Sequence, residues 1–150
     1  MADLEVSPEA LTSALQAEDP AAGIVAAGDL RQGKRPSMVA LMLGYGLIVL
    51  MLPRKSKQLS RRFVLIATEN EVIARRAWSG GGEHEYLIKV GDRLGSWPRD
   101  QVWMDGFGAD GTQAASATLH LAGQTLPVSR PNLSGDPNTD ELFLTLGRAG

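Results

Sequence analysis

The sequence contains no cysteine and only two histidines, and these shortages remove several kinds of site at once. Without cysteine there is no disulfide within the chain, no thiolate nucleophile and no zinc site with sulfur ligands. His84 and His120 lie far apart, and neither belongs to a His-Glu-x-x-His spacing. No Gly-x-Ser-x-Gly elbow is present, and the Ser-Gly-Gly-Gly-Glu stretch lacks the Lys-Ser/Thr of a phosphate-binding loop. We therefore expect no enzyme, no metal and no cofactor.

Aromatic residues are also scarce, at 5%, whereas the chain has seventeen glycines, which together indicate small side chains and many turns. A length of 150 residues suits one domain with one core. The first ten residues carry acids where a secretory signal has a basic region followed by an apolar one. We therefore expect no cleaved signal peptide and a location on the cytoplasmic side.

Acidic residues are missing from the stretch between Arg31 and Arg62, which holds eight of the fifteen Lys and Arg residues. In its middle, Ser37–Leu52 is a run of sixteen residues without a charge. An apolar element with basic residues on both sides is typical of a segment that lies in or on a membrane, or that is buried beside a basic surface.

Three structures for the apolar segment 38–52 are compatible with its sequence. As one helix it would be about 22 Å long, short of the roughly 30 Å hydrocarbon core of a bilayer. Gly44 and Gly46 each lower helix propensity by about 1 kcal/mol relative to Ala, so the helix could be broken between them. The segment is therefore a helix or broken helix packed on the domain, a membrane-inserted or single-pass element, or a pair of buried strands.

The basic and apolar residues of this stretch are the candidate binding site. Each Lys or Arg near an anionic membrane contributes about 1 kcal/mol to binding. No aromatic residues are interleaved with the basic run from Arg54 to Arg62 and no recognition helix is apparent, so nucleic acid is not an expected partner. We predict that an anionic membrane surface or a protein partner contacts Lys34, Arg35, Arg54, Lys55, Lys57, Arg61 and Arg62. The predicted apolar anchor consists of Met38, Leu41, Met42, Tyr45, Ile48 and Leu52.

Local signals predict a helix and three strands in the first half of the chain. Ser7, Pro8 and Glu9 are typical of a helix start, and the helix is predicted to run from Pro8 to Ala17. A strand follows from Gly23. The strongest local signal is a hairpin whose two strands, 63–68 and 71–78, flank Glu69-Asn70. In its second strand the two arginines Arg75 and Arg76 point to opposite faces, so one of them should lie at the rim.

The second half of the chain predicts further short strands and one terminal helix. The strands are 85–90, 93–98, 101–106, and 115–122 continuing through Gly123 into 125–129, with His120 facing outward. Asp136 and Pro137 start a helix whose apolar face is Leu142, Phe143 and Leu146. We predict a mainly β domain of about seven antiparallel strands, as a barrel or orthogonal sandwich capped by that helix. Residues 1–20 form an N-terminal helix and linker, and residues 21–150 form the domain.

This order of strands and helix resembles the pleckstrin-homology-like domain of bacterial proteins, and the hairpin Arg61–Trp78 is similar to a mid-domain element of that superfamily. The resemblance implies a binding module rather than an enzyme, with an apolar membrane segment placed where residues 38–52 stand. The hairpin lacks the basic pair of phosphoinositide-binding members, so inositol-lipid recognition is not implied. The sequence thus predicts a membrane-associated binding module. The alternative is a soluble protein-interaction scaffold in which segment 38–52 is buried in the fold or in a partner interface.

Overall fold

The computed structural model describes residues 4–7, 10–32, 59–79, 87–105, 116–129 and 137–147, and within them the protein is mainly β. Two α-helices and eight strands are formed by these residues, along with short 3-10 turns at Pro20–Ala22 and Arg99–Gln101. The elements in chain order are β1 (Leu4–Val6), α1 (Leu11–Glu18), β2 (Ile24–Gln32), β3 (Arg62–Thr68), β4 (Glu71–Ser79), β5 (Ile88–Pro98), β6 (Val102–Asp105), β7 (Ser116–Leu121), β8 (Gln124–Ser129) and α2 (Pro137–Leu146).

All eight strands belong to one antiparallel sheet in the order β1-β5-β4-β3-β2-β8-β7-β6. Strands β2 to β5 form one meander and β6 to β8 form another. The two meanders join where the last residues of β2 pair with β8, Arg31 opposite Ser129 and Gln32 opposite Val128. In the described part of the chain β1 and β6 are the edge strands and do not pair with each other, so the sheet is open. Met104 of β6 forms an isolated bridge with Gly147. The predicted mainly β, antiparallel fold is confirmed, with eight strands in place of about seven, but the described strands do not close into the predicted barrel.

Alternating side chains along β3 divide the apolar residues into two cores. Phe63 and Leu65 point to the face that α2 covers and belong to a cluster with residues of β6, β7 and β8, which we call the α2 core. Val64 and Ile66 point to the other face, where Leu11 and other residues of α1, β1 and β5 form the α1 core. A strand buried on both faces reads as a continuous apolar run, which explains the Phe-Val-Leu-Ile-Ala sequence of β3.

Helix α2 packs against β2, as its apolar face predicts. Leu142 and Phe143 are fully buried and Leu146 is nearly so. The close approach depends on Gly28, because a Cβ atom at this position would lie 2.7 Å from Leu142 Cδ2 and 3.1 Å from the Cα of Thr139. The predicted C-terminal helix is confirmed and runs from Pro137 to Leu146.

Several predicted element boundaries are wrong. The predicted strands 85–90 and 93–98 are not separated by a turn at Gly91-Asp92. Strand β5 continues through both residues, and its pairing with β4 is irregular around Arg75. Conversely, 115–129 is not one extended strand, because Ala122 and Gly123 have φ values of +48° and +92° and turn the chain into a hairpin. This pair of left-handed residues matches a two-residue hairpin turn.

The N-terminal part also differs from its prediction. Helix α1 begins at Leu11, and Ser7 contributes its backbone oxygen, not its side chain, to the N–H of Ala10. The strand β1, which no local pattern predicts, pairs with β5. Strand β1 belongs to the same sheet as the other described strands, and α1 packs on that sheet. The predicted domain boundary at residue 20 stays a prediction.

No helix in the described ranges is long and apolar enough to cross a membrane. The apolar segment 38–52 lies outside the described residues.

Candidate functional site

The stretch that carries the predicted binding residues connects the end of β2 to the start of β3. Its last described residue before the gap is Gln32 and its first after it is Leu59. The Gln32 side-chain Nε2 donates hydrogen bonds to the carbonyl oxygens of Leu59 and Ser60, both at 3.1 Å. The backbone N–H of Gln32 also donates to the oxygen of Arg61, at 2.8 Å. Residues 33–58 therefore begin and end at adjacent points at one end of the sheet.

Burial holds these two ends in place. The Leu59 side chain is 1% exposed and belongs to the α2 core, and Gln32 is 9% exposed. A buried amide is costly unless its donors find acceptors, and the two carbonyl oxygens supply them. The exit and return points are thus part of the folded core, not of a surface loop. We call the residues Arg31, Gln32 and Leu59 to Arg62 the base.

A partly buried ion pair reinforces the base. Arg62 donates from Nε to Asp29 Oδ1 at 2.9 Å and from Nη2 to Asp29 Oδ2 at 2.5 Å. Such two-pronged contacts are among the stronger charge-assisted hydrogen bonds in proteins. The Asp29 backbone N–H donates to the Thr139 hydroxyl of α2 at 3.3 Å. The pair therefore connects the start of β3 to β2 beside the docked helix.

Two of the predicted basic residues lie in the part of the chain that the structure describes, and five lie outside it. Arg61 and Arg62 are half-buried at the base, and Arg62 is matched by Asp29. Their contact with a membrane or partner stays a prediction. Lying outside the described residues are Lys34, Arg35, Arg54, Lys55 and Lys57, and with them the predicted anchor Met38, Leu41, Met42, Tyr45, Ile48 and Leu52.

His120 faces outward on β7, as predicted, and is held by its cross-strand neighbours. Its ring stacks on Trp103 of β6 with a centroid separation of 3.6 Å and an interplanar angle of 3°. His120 Nε2 lies 3.1 Å from Asp105 Oδ2, and Nδ1 lies 3.4 Å from the Thr125 hydroxyl. Trp103 and Thr125 are the register partners of His120 on either side, so the cluster is a cross-strand ladder. Both ring nitrogens already have partners in this arrangement.

Metal ligation finds no support in the described ranges, where no three His, Asp or Glu side chains are grouped closely enough to hold an ion.

A cleft of about 470 Å³ lies between the end of α1 and the sheet face that α1 covers. Its wall includes Leu15 and Ile73, and its polar end includes Arg75. Arg75 is 6% exposed, whereas its neighbour Arg76 is exposed. The prediction that one arginine of this pair lies at the rim is met by Arg76. The burial of Arg75 had no local signal, because it depends on where α1 packs.

Comparisons with protein families and with curated proteins assign no family to the chain. No protein-family model matches the chain, and no curated protein matches its sequence.

Proposed function

We propose that this protein is a non-enzymatic binding module that contacts an anionic membrane surface through the stretch between β2 and β3. The observation that carries the proposal is the base, where Gln32 and Leu59 are hydrogen-bonded neighbours in the core. Residues 33–58, which carry five of the basic residues, are therefore joined to the sheet at neighbouring points.

The charge and hydropathy of the stretch supply the binding energy in this proposal. Eight Lys and Arg with no acid lie between residues 31 and 62, and sixteen uncharged residues separate the two basic groups. Each cation near an anionic surface contributes about 1 kcal/mol, and each fully buried large apolar side chain contributes about 1.5–3 kcal/mol. Arg62 contributes less than the others, since Asp29 already matches its charge.

The strand order supports a pleckstrin-homology-like architecture as part of the same proposal. A four-strand meander, β2 to β5, is followed by a three-strand meander, β6 to β8, and by a C-terminal helix on the shared core. In this interpretation β1 is an addition to the edge of the first meander, beside β5, and α1 is an addition to one of its faces. The basic stretch is then the connection between the first two strands of the domain.

Flotation with liposomes tests the proposed function. We expect the protein to float with vesicles that contain anionic phosphatidylserine and to stay in solution with purely zwitterionic vesicles. Loss of flotation in high salt indicates peripheral electrostatic binding, whereas retention in high salt indicates that apolar side chains are inserted. A monodisperse protein that ignores anionic vesicles at low salt would refute the proposal and favour the protein-interaction scaffold.

A charge variant with a matched control shows whether the basic stretch is responsible. Replacing five basic residues of the stretch by glutamine should reduce binding to anionic vesicles by at least a hundredfold, since about 1 kcal/mol is lost per charge. These residues are Lys34, Arg35, Arg54, Lys55 and Lys57. The control replaces Arg76, Lys89 and Arg93 by glutamine, which removes cations from β4 and β5 and should leave most of the binding intact. Equal losses in both variants would show a general charge effect instead of a site.

A further inference from the structure

The cleft beside α1 has the size and the two-part lining of a small-molecule site. Its volume of about 470 Å³ falls in the range of roughly 300–1,000 Å³ typical of ligand pockets. One part of the wall is aliphatic and comes from Leu15, Ile24, Ile66 and Ile73. The other part is polar and comes from Glu18, Asp19, Arg75, Asp92 and Arg93. A compound that fits both parts has an apolar body and one polar head.

Arg75 determines what kind of head group fits. Its Nε donates to the backbone oxygen of Gly91 at 2.8 Å, and its Nη1 donates to Glu18 Oε1 at 2.7 Å. A guanidinium has five N–H donors, and Nη2 of Arg75 has no acceptor among the residues that the structure describes. A buried donor without an acceptor is unfavourable, so an acceptor supplied by a ligand would be favoured.

The other charged groups of the cleft do not reverse this preference. Glu18 is already matched by Arg75. Asp19, Asp92 and Arg93 are exposed at the rim, where solvent screens them. Arg75 is thus the buried polar group of the cleft; its charge is matched by Glu18, and its remaining N–H groups can only donate hydrogen bonds.

We propose that the cleft binds a small amphiphile whose apolar body lies on the aliphatic wall and whose head is an oxygen acceptor held by Arg75. Medium-chain carboxylic acids and their amides have this chemistry. The site is separate from the base and needs no membrane, so it stands whether or not the protein binds vesicles.

Titration of the isoleucine-methyl-labelled protein with octanoate, octanamide and octylammonium tests the proposal. We expect saturable shifts of the Ile24, Ile66 and Ile73 methyl signals with octanoate or octanamide. Ile88 serves as an internal reference, since it belongs to the α1 core but does not line the cleft. Octylammonium has a donor head and should bind at least tenfold more weakly. Comparison of the two acceptor heads shows whether a carboxylate or a neutral carbonyl is preferred.

Variants of the neighbouring arginines identify the head-group contact. Arg75→Met should weaken binding at least tenfold, and Arg76→Met, at the exposed neighbour, should leave it unchanged. Because Arg75→Met also removes two internal hydrogen bonds, Ile24→Trp provides a second variant that fills the cleft with Arg75 in place and should abolish the shifts. Absence of saturable shifts in the wild-type protein would overturn the proposal. Equal binding of octylammonium, or unchanged binding in Ile24→Trp, would overturn it as well.

Discussion

At the scale of single residues, Arg62 and Arg75 have surroundings that their positions in the sequence do not predict. Arg62 belongs to a basic cluster in the sequence, yet the strand register brings it to Asp29, on the neighbouring strand. Arg75 alternates with its neighbours as a strand residue should, but α1 covers its face and buries it. Alternation predicts which residues share a face. It does not predict the register of two strands or the face that a distant helix covers, because both depend on non-local packing.

Asp29→Asn should destabilise the protein by about 2 kcal/mol, because it removes the charge that compensates the partly buried guanidinium of Arg62. Chemical denaturation measures the loss. Glu5→Gln provides the control, since Glu5 and Lys89 form an exposed pair at 3.8 Å that should contribute less than about 0.5 kcal/mol. In the background of Arg62→Met the cost of Asp29→Asn should be smaller. Equal costs in both backgrounds would show that the pair does not stabilise the base.

Gly28→Ala should destabilise the protein by about 1–3 kcal/mol, because the added methyl group would overlap Leu142 and the backbone of α2. Val25→Thr on the same strand is the control: Val25 is 45% exposed, and the substitution should change stability by less than about 0.5 kcal/mol. A thermal-unfolding midpoint for Gly28→Ala equal to that of the wild type would mean that α2 packs less closely on β2 than described.

At the scale of elements, the sequence predicts those that carry their own signals. The hairpin of β3 and β4 and the helix α2 are both confirmed, because turn residues, helix-start residues and an apolar face all lie within the element. Strand β1 has three residues, and its partner β5 determines its existence. Strand β5 itself continues through Gly91-Asp92 because a neighbouring strand is present to pair with it. Elements that depend on a partner are the ones that local patterns miss.

Leu142→Asp should unfold the protein, with a loss of at least about 3 kcal/mol, because it buries an unpaired carboxylate in the α2 core. Phe143→Asp should behave in the same way. The matched control is Leu144→Asp, since Leu144 lies on the same helix and is 52% exposed. Circular dichroism should show a folded Leu144→Asp and unfolded forms of the other two. Wild-type stability in Leu142→Asp would refute the docking of α2.

At the scale of the whole molecule, the described strands form one sheet, and the stretch between Gln32 and Leu59 is joined to it at neighbouring points. The coincidence of apolar and basic residues between Arg31 and Arg62 is visible in the sequence. The proximity of Gln32 and Leu59 is not visible in the sequence, because it follows from the pairing of β2 with β3 and from the hydrogen bonds of Gln32. Because Gln32 and Leu59 are neighbours, a short linker can span the distance between them.

The most direct test of the membrane proposal is the flotation of a variant in which residues 33–58 are replaced by a short Gly-Ser linker between Gln32 and Leu59. We predict that this variant keeps a cooperative unfolding transition close to that of the wild type, because Gln32 and Leu59 are already neighbours. We further predict that it no longer floats with anionic vesicles under conditions in which the wild-type protein does. A folded variant that floats as well as the wild type would contradict the account.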